Sequence, residues 1–167
     1  MRVNKGLMIA ATFDPTKRTS LITVADMCRK IEENSISLPL YQRDISWTLQ
    51  KCIDLLNYQL WGKAPVSPIS INVINTVDSA VPQVSFIDRE IISTIERGQY
   101  SVVDGQQRLT TNYKAYCNHD DFRNIVLDLG KGEFTEVRDS IRSNQIPVGI
   151  LLNKEDTKLF EYTKAKS

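Results

Sequence analysis

The stretch Val103-Asp104-Gly105-Gln106-Gln107-Arg108-Leu109-Thr110-Thr111 gathers groups that could hold a phosphate or direct an attack on one. An apolar run ends in an acid and a glycine, two amides and an arginine follow, and apolar periodicity then resumes. That is the grammar of a strand, a tight turn and a helix start. Such a junction leaves backbone N–H groups unpaired, and Arg108 adds a fork of donors matched to phosphate oxygens. Asp104 offers carboxylate oxygen, the ligand type that holds Mg²⁺ or orients a water. Asp-Gly alone is also a common turn. Gln106 and Gln107, however, put side-chain donors and acceptors where Ser, Thr or Glu is the usual choice, and the five residues together favour a functional reading. Thr110 and Thr111 are second-tier hydroxyl donors, because Thr early in a helix is often simply tolerated.

Tyr41-Gln42-Arg43 forms a second constellation, in which the ring could stack on a base while the guanidinium holds a phosphate. A Tyr packed on the core beside an exposed Arg is the equal alternative. Trp47 reads as a core anchor in preference to a base platform. The lone histidine, His119, sits in Asn118-His119-Asp120-Asp121, which suits a solvated helix end, with no recognisable nucleophile to serve.

These residues need elements to position them. Val24, Met27, Cys28 and Ile31 have helical spacing behind a Thr23/Asp26 capping box, so a helix is expected from about Val24 to Glu33. Ile36 to Leu40 reads as a short strand whose proline suits an edge or a strand end. A second helix is expected from Leu49 to Leu60, with Leu49, Cys52, Ile53, Leu56 and Leu60 on its apolar stripe and Gly62 ending it. Ile69, Ile71 and Val73 alternate as a strand, and Thr76 to Gln83 reads as a connection. Residues 84–97 fit a helix by the spacing of Ile87, Ile91 and Ile95, and a strand by their β-branched content. Tyr100 to Val103 is a strand, Gln107 to about Cys117 a helix, and Ile125 to Leu129 a strand returning through Gly130-Lys131-Gly132 to Phe134–Val137. A polar helix is expected near Asp156 to Tyr162. The sum is an α+β chain in one compact unit, residues 21–167, behind an N-terminal arm of residues 1–20.

Bulk properties narrow the partners. With 167 residues and 41% apolar content the chain can bury a core without disulfides or metal. Lys and Arg total 21 against 20 acids, so DNA binding would require a local basic patch. The 3 cysteines are dispersed without a CxxC pair, which argues against zinc and for a reducing compartment. No stretch approaches the roughly 20 apolar residues that span a bilayer. A cytoplasmic protein is expected.

Pro39-Leu40-Tyr41-Gln42-Arg43 with Trp47, followed by Val103 to Thr111, resembles the N-terminal domain of GmrSD-type modification-dependent restriction enzymes, whose hallmark is the sequence DGQQR. Val126-Leu127-Asp128-Leu129, Gly132-Glu133-Phe134 and Ile146-Pro147-Val148 are similar in order to that domain, and the resemblance covers roughly Leu21 to Tyr162. It implies a single ParB/sulfiredoxin-like domain, with a short mixed sheet and surrounding helices, whose DGQQR segment forms a nucleotide pocket. It further implies binding or hydrolysis of an NTP with Mg²⁺ that powers or gates a DNA-cleaving partner. By the same resemblance Asp104 would act on metal or water, and Gln106, Gln107 and Arg108 on phosphates. Arg43 would reach that pocket from its loop, Tyr41 and Gln42 would shape its wall, and Gly105, Thr110 and Thr111 would line the nucleotide.

Restriction members append an HNH-type nuclease domain, whose metal site needs at least two histidines, and a chain with His119 alone is not expected to cut DNA by that route. The leading expectation is therefore a stand-alone nucleotide-binding domain, with or without slow NTP hydrolysis, in phage or plasmid defence or counter-defence. Its alternative is a non-catalytic module that occupies a nuclease or DNA-processing partner. Direct DNA recognition and homo-oligomerisation stay compatible with the sequence.

Overall fold

The computed structural model describes residues 20–42, 47–64, 68–77, 80–152, 161, 162 and 164. The N-terminal arm, Arg43 and most of the expected last helix lie outside them. Helix α1 spans Val24–Glu32 and begins as its sequence implies: the Thr23 hydroxyl oxygen accepts from the Asp26 amide at 3.1 Å and donates to the Asp26 carboxylate at 2.6 Å. Helix α2 spans Leu49–Leu60, is capped by Thr48, and ends at Trp61 before Gly62, which takes φ +64°. Helix α3 spans Gln106–Tyr116, and a short α4 spans Val148–Leu152.

The strands form the expected short mixed sheet and, beside it, a second sheet that is antiparallel. The first is mixed, in the order β2-β4-β1-β3, with β1 Ile36–Pro39, β2 Ser70–Val73, β3 Gln83–Val84 and β4 Tyr100–Asp104. Strand β1 runs parallel to β4 on one side and antiparallel to β3 on the other. The second sheet is antiparallel, in the order β6-β5-β7, with β5 Ile125–Asp128, β6 Glu133–Glu136 and β7 Gln145–Pro147. Together the helices and sheets make a small α+β domain.

Strand β1 is interior rather than an edge. Its proline is tolerated because Pro39 is the last residue, beyond the parallel pairing with β4, which the register carries only to Ser37 opposite Ser101. Residues 84–97 contain no helix. Val84 makes an isolated antiparallel bridge to Ile91, and Ile91 itself is exposed, so the fourfold isoleucine spacing faces no continuous core.

Each sheet owns a core. Met27, Ile31, Ile36, Leu38, Val84, Phe86, Val102 and Leu109 fill the first, whereas Cys52, Ile53, Leu56, Ala115, Phe122, Ile125, Phe134 and Val148 fill the second. Helix α3 serves both, through Leu109 on one side and Ala115 on the other. On α2, Leu60 is exposed and Asn57 takes a buried place instead. The Asn57 amide donates to the Phe134 carbonyl at 2.9 Å and accepts the Phe134 N–H at 2.6 Å, so it substitutes for a missing neighbour along the edge strand β6.

The turn from β5 to β6 is organised by buried Asp128, whose Oδ1 accepts the N–H groups of Gly130 at 2.9 Å and Lys131 at 3.2 Å. Its Oδ2 accepts the Gln145 amide at 3.1 Å. The Gln145 hydrogen bond, aided by those two N–H groups, holds the Asp128 carboxyl below its ordinary value against the opposing effect of burial. A depressed folded pKa stabilises the fold above the unfolded pKa, and this contribution disappears as pH falls through the folded value. In thermal melts at falling pH, Asp128→Asn should therefore be several degrees less stable than wild type near neutrality, with the gap closing below about pH 4. A gap that does not change with pH would rule out the charge as its cause.

Candidate functional site

The two chemistry-bearing segments meet because β1 and β4 are parallel neighbours. Their carboxyl ends lie side by side, and one delivers Tyr41-Gln42 while the other delivers Asp104-Gly105 and then α3. The ladder between them stops before those ends. Gln42 takes its place: its Nε2 donates to the carbonyls of Val102 at 2.7 Å and Val103 at 2.9 Å. The side chain thus joins the two constellations physically.

Gly105 makes the turn possible. It adopts φ +93° and ψ +9° at the N-cap of α3, where no side chain caps the helix. A Cβ there would lie 2.9 Å from the Ile69 Cγ1 atom and 3.2 Å from an Arg108 nitrogen, so both the dihedral and the space require glycine. The first-turn amides of α3 consequently sit at a helix start that lacks a competing side-chain acceptor.

Arg108 folds back over this turn. Its Nη2 donates to the Pro68 carbonyl at 3.2 Å and lies 3.8 Å from the Asp104 carboxylate. The Asp104 side chain is 76% exposed and that of Arg108 22% exposed, so the acid faces solvent while the cation is mostly covered. Gln106 is partly exposed, and Tyr41 presents its ring to solvent. Gln107 Oε1 accepts the Trp47 N–H at 3.1 Å, which fixes where the chain re-enters after residues 43–46, and Trp47 itself packs on the second core.

The threonines diverge. Thr111 is buried, and its hydroxyl donates to the Gln107 carbonyl at 2.8 Å and lies 3.4 Å from Cys52 Sγ, so it faces the core and not the turn. The Thr110 hydroxyl is buried without a hydrogen-bond partner among the described residues. Arg43 lies outside the described residues. One participant escaped the sequence reading altogether: Arg89, whose Nη2 donates to the Gln42 carbonyl at 2.7 Å. Its sequence signal is the charged run Asp88-Arg89-Glu90 interrupting an apolar segment.

The donor set constrains any metal. Among the described residues no cluster of three or more His, Cys, Asp or Glu side chains is placed to hold an ion. Asp104 alone fits Mg²⁺ bound mainly by phosphates and water, and it does not fit a cage made entirely of protein ligands. Burial pushes Cys28 and Tyr113 up to about 12, which leaves both neutral near pH 7.

The family model for the GmrSD restriction endonuclease N-terminal domain matches residues 24–166. No curated protein matches the chain. Among the described residues no helix is long and apolar enough to cross a membrane.

Gly105 gives the sharpest structural test. Gly105→Ala should destabilise the fold by about 1–3 kcal/mol, because it adds a strained dihedral to an overpacked contact with Ile69. Urea unfolding measures this. A midpoint equal to that of wild type would show that the turn relaxes freely.

Proposed function

The chain belongs to the GmrSD restriction endonuclease N-terminal domain family, and on that footing we propose that it binds a nucleoside triphosphate with Mg²⁺ at the carboxyl ends of β1 and β4. The observation that carries this reading is the convergence of Tyr41-Gln42 with Asp104 to Arg108 across two parallel strands, the crevice position in which α/β sheets take ligands. Phosphates accept from the uncapped first turn of α3 and from Arg108, while Asp104 holds the cation or orients the attacking water. Gly105 lets the phosphate chain approach the backbone. Gln106 lines the turn, and Gln107 keeps Trp47 in place. The exposed Tyr41 ring offers a surface on which a base stacks. The ParB/sulfiredoxin-like likeness and a role in phage or plasmid defence or counter-defence belong to this same proposal. The NTP state would gate a nuclease or DNA-processing partner.

A non-catalytic module is the second reading, and one observation favours it. An apolar hollow of about 360 Å³ lies between α1, α2, α3 and α4, lined by Val24, Cys28, Leu56, Leu60, Tyr116 and Leu151. Exposed Val24 and Leu60 on its rim suit a protein partner.

Titration calorimetry separates the two readings. An NTP with Mg²⁺ should bind the wild type, and Asp104→Ala and Arg108→Ala should each weaken binding ten-fold or more, a loss of about 1.4 kcal/mol. Omitting Mg²⁺ should reduce wild-type affinity and leave Asp104→Ala nearly unchanged. Absence of binding by any NTP would defeat the nucleotide reading in favour of the module.

A further inference from the structure

The buried side-chain polar atoms that lack a hydrogen-bond partner among the described residues are Gln42 Oε1, Arg89 Nη1 and Thr110 Oγ1. Buried polar groups are normally paired, so each such atom needs a reason. Two of them belong to residues joined by one hydrogen bond, since Arg89 Nη2 donates to the Gln42 backbone carbonyl at 2.7 Å. Gln42 in turn spends Nε2 on the Val102 and Val103 carbonyls. That fixes the amide and leaves its oxygen as an unmet acceptor.

Arg89 is unusual in two further ways. No carboxylate among the described residues forms an ion pair with it. Its backbone also takes φ +55°. Among the described residues the other non-glycine positions with positive φ are Asn34 and Asn118, a type that tolerates the left-handed region, whereas Arg has no such preference. Arg89 Nη2 donates to the carbonyls of Gln42 at 2.7 Å and Leu40 at 3.5 Å, a clamp that leaves Nη1 without a role and does not itself call for a positive φ. Strain of this kind persists where the surroundings impose it, commonly at binding sites.

We infer that Arg89 is a ligand-binding residue of the proposed nucleotide pocket, donating Nη1 to a phosphate oxygen while Nη2 holds the Gln42 carbonyl. The inference rests on the nucleotide reading given above. It extends that pocket to the segment between β3 and β4, which lies outside both sequence motifs. The unmet pair also defines the ligand: a cationic donor on Arg89 calls for an anion, and the neutral acceptor on Gln42 calls for a hydroxyl or amino group on the same molecule. A nucleotide carries both. Pyrophosphate carries only the first.

Calorimetry on the full chain tests this with each of the common NTPs plus Mg²⁺, with pyrophosphate and with a short DNA duplex, on the wild type, Arg89→Met, Arg89→Lys and Gln42→Ala. Arg89→Met should bind NTP and pyrophosphate at least ten-fold more weakly. Arg89→Lys, which keeps the charge and loses the fork, should show a smaller loss and decides the matter if the Met variant does not fold. Gln42→Ala should weaken NTP more than pyrophosphate. Wild-type affinity for NTP in both Arg89 variants would overturn this inference and leave the nucleotide site standing. A wild type that binds neither NTP nor pyrophosphate would overturn both, as would an Arg89 dependence seen with the duplex alone.

Discussion

The left-handed turn at Gly105 is the constraint on which both halves of the molecule depend. Helix α3 carries Leu109 into the first core and Ala115 into the second, so one helix must meet two apolar clusters built on separate sheets. Its direction is set where it leaves β4, by a residue at φ +93° packed against Ile69. A different exit angle would bury one cluster at the expense of the other. The same turn leaves the first-turn amides of α3 without a side-chain cap, so a folding requirement and a binding opportunity share one residue.

Polar side chains extend the sheets where backbone pairing stops. Past Ser37 and Ser101 the parallel ladder has ended, and Pro39 has no N–H to continue it. Carbonyls of β4 that face β1 would then lack donors, and Gln42 supplies them. Asn57 does the equivalent work at the edge of β6, and Asp128 does so in the β5–β6 turn. Of these, Gln42 is the one whose amide is left incompletely satisfied.

What the sequence made legible was local. Thr23 caps α1 through a contact three residues long, and Gly62 and the Gly130-Lys131-Gly132 turn act through their own dihedrals. Such signals need no knowledge of the rest of the chain. The partition into two sheets, the interior place of β1 and the burial of Asn57 depend on partners far along the chain, and no short-range pattern encodes them. The site divides the same way. Asp104 to Arg108 announces itself by composition, whereas Arg89 enters by crossing 47 positions to reach Gln42, from a segment whose isoleucine spacing imitates a helix.

The electrostatics of the turn give a reason for metal and phosphate to act together. A chain with net charge +1 exerts little long-range pull on an anion, so recognition falls to short, directed donors. Arg108 is held in reserve by the Asp104 carboxylate at 3.8 Å, a contact open to solvent on the acid's side and worth at most about 1 kcal/mol. A phosphate arriving alone meets that carboxylate as a like charge. A cation on Asp104 removes the repulsion, and it also weakens the carboxylate's claim on Arg108, so the guanidinium can turn to the phosphate. On the proposed nucleotide reading, metal and anion would then bind more tightly together than either alone, and an exposed acid beside a covered arginine is the arrangement that this coupling requires.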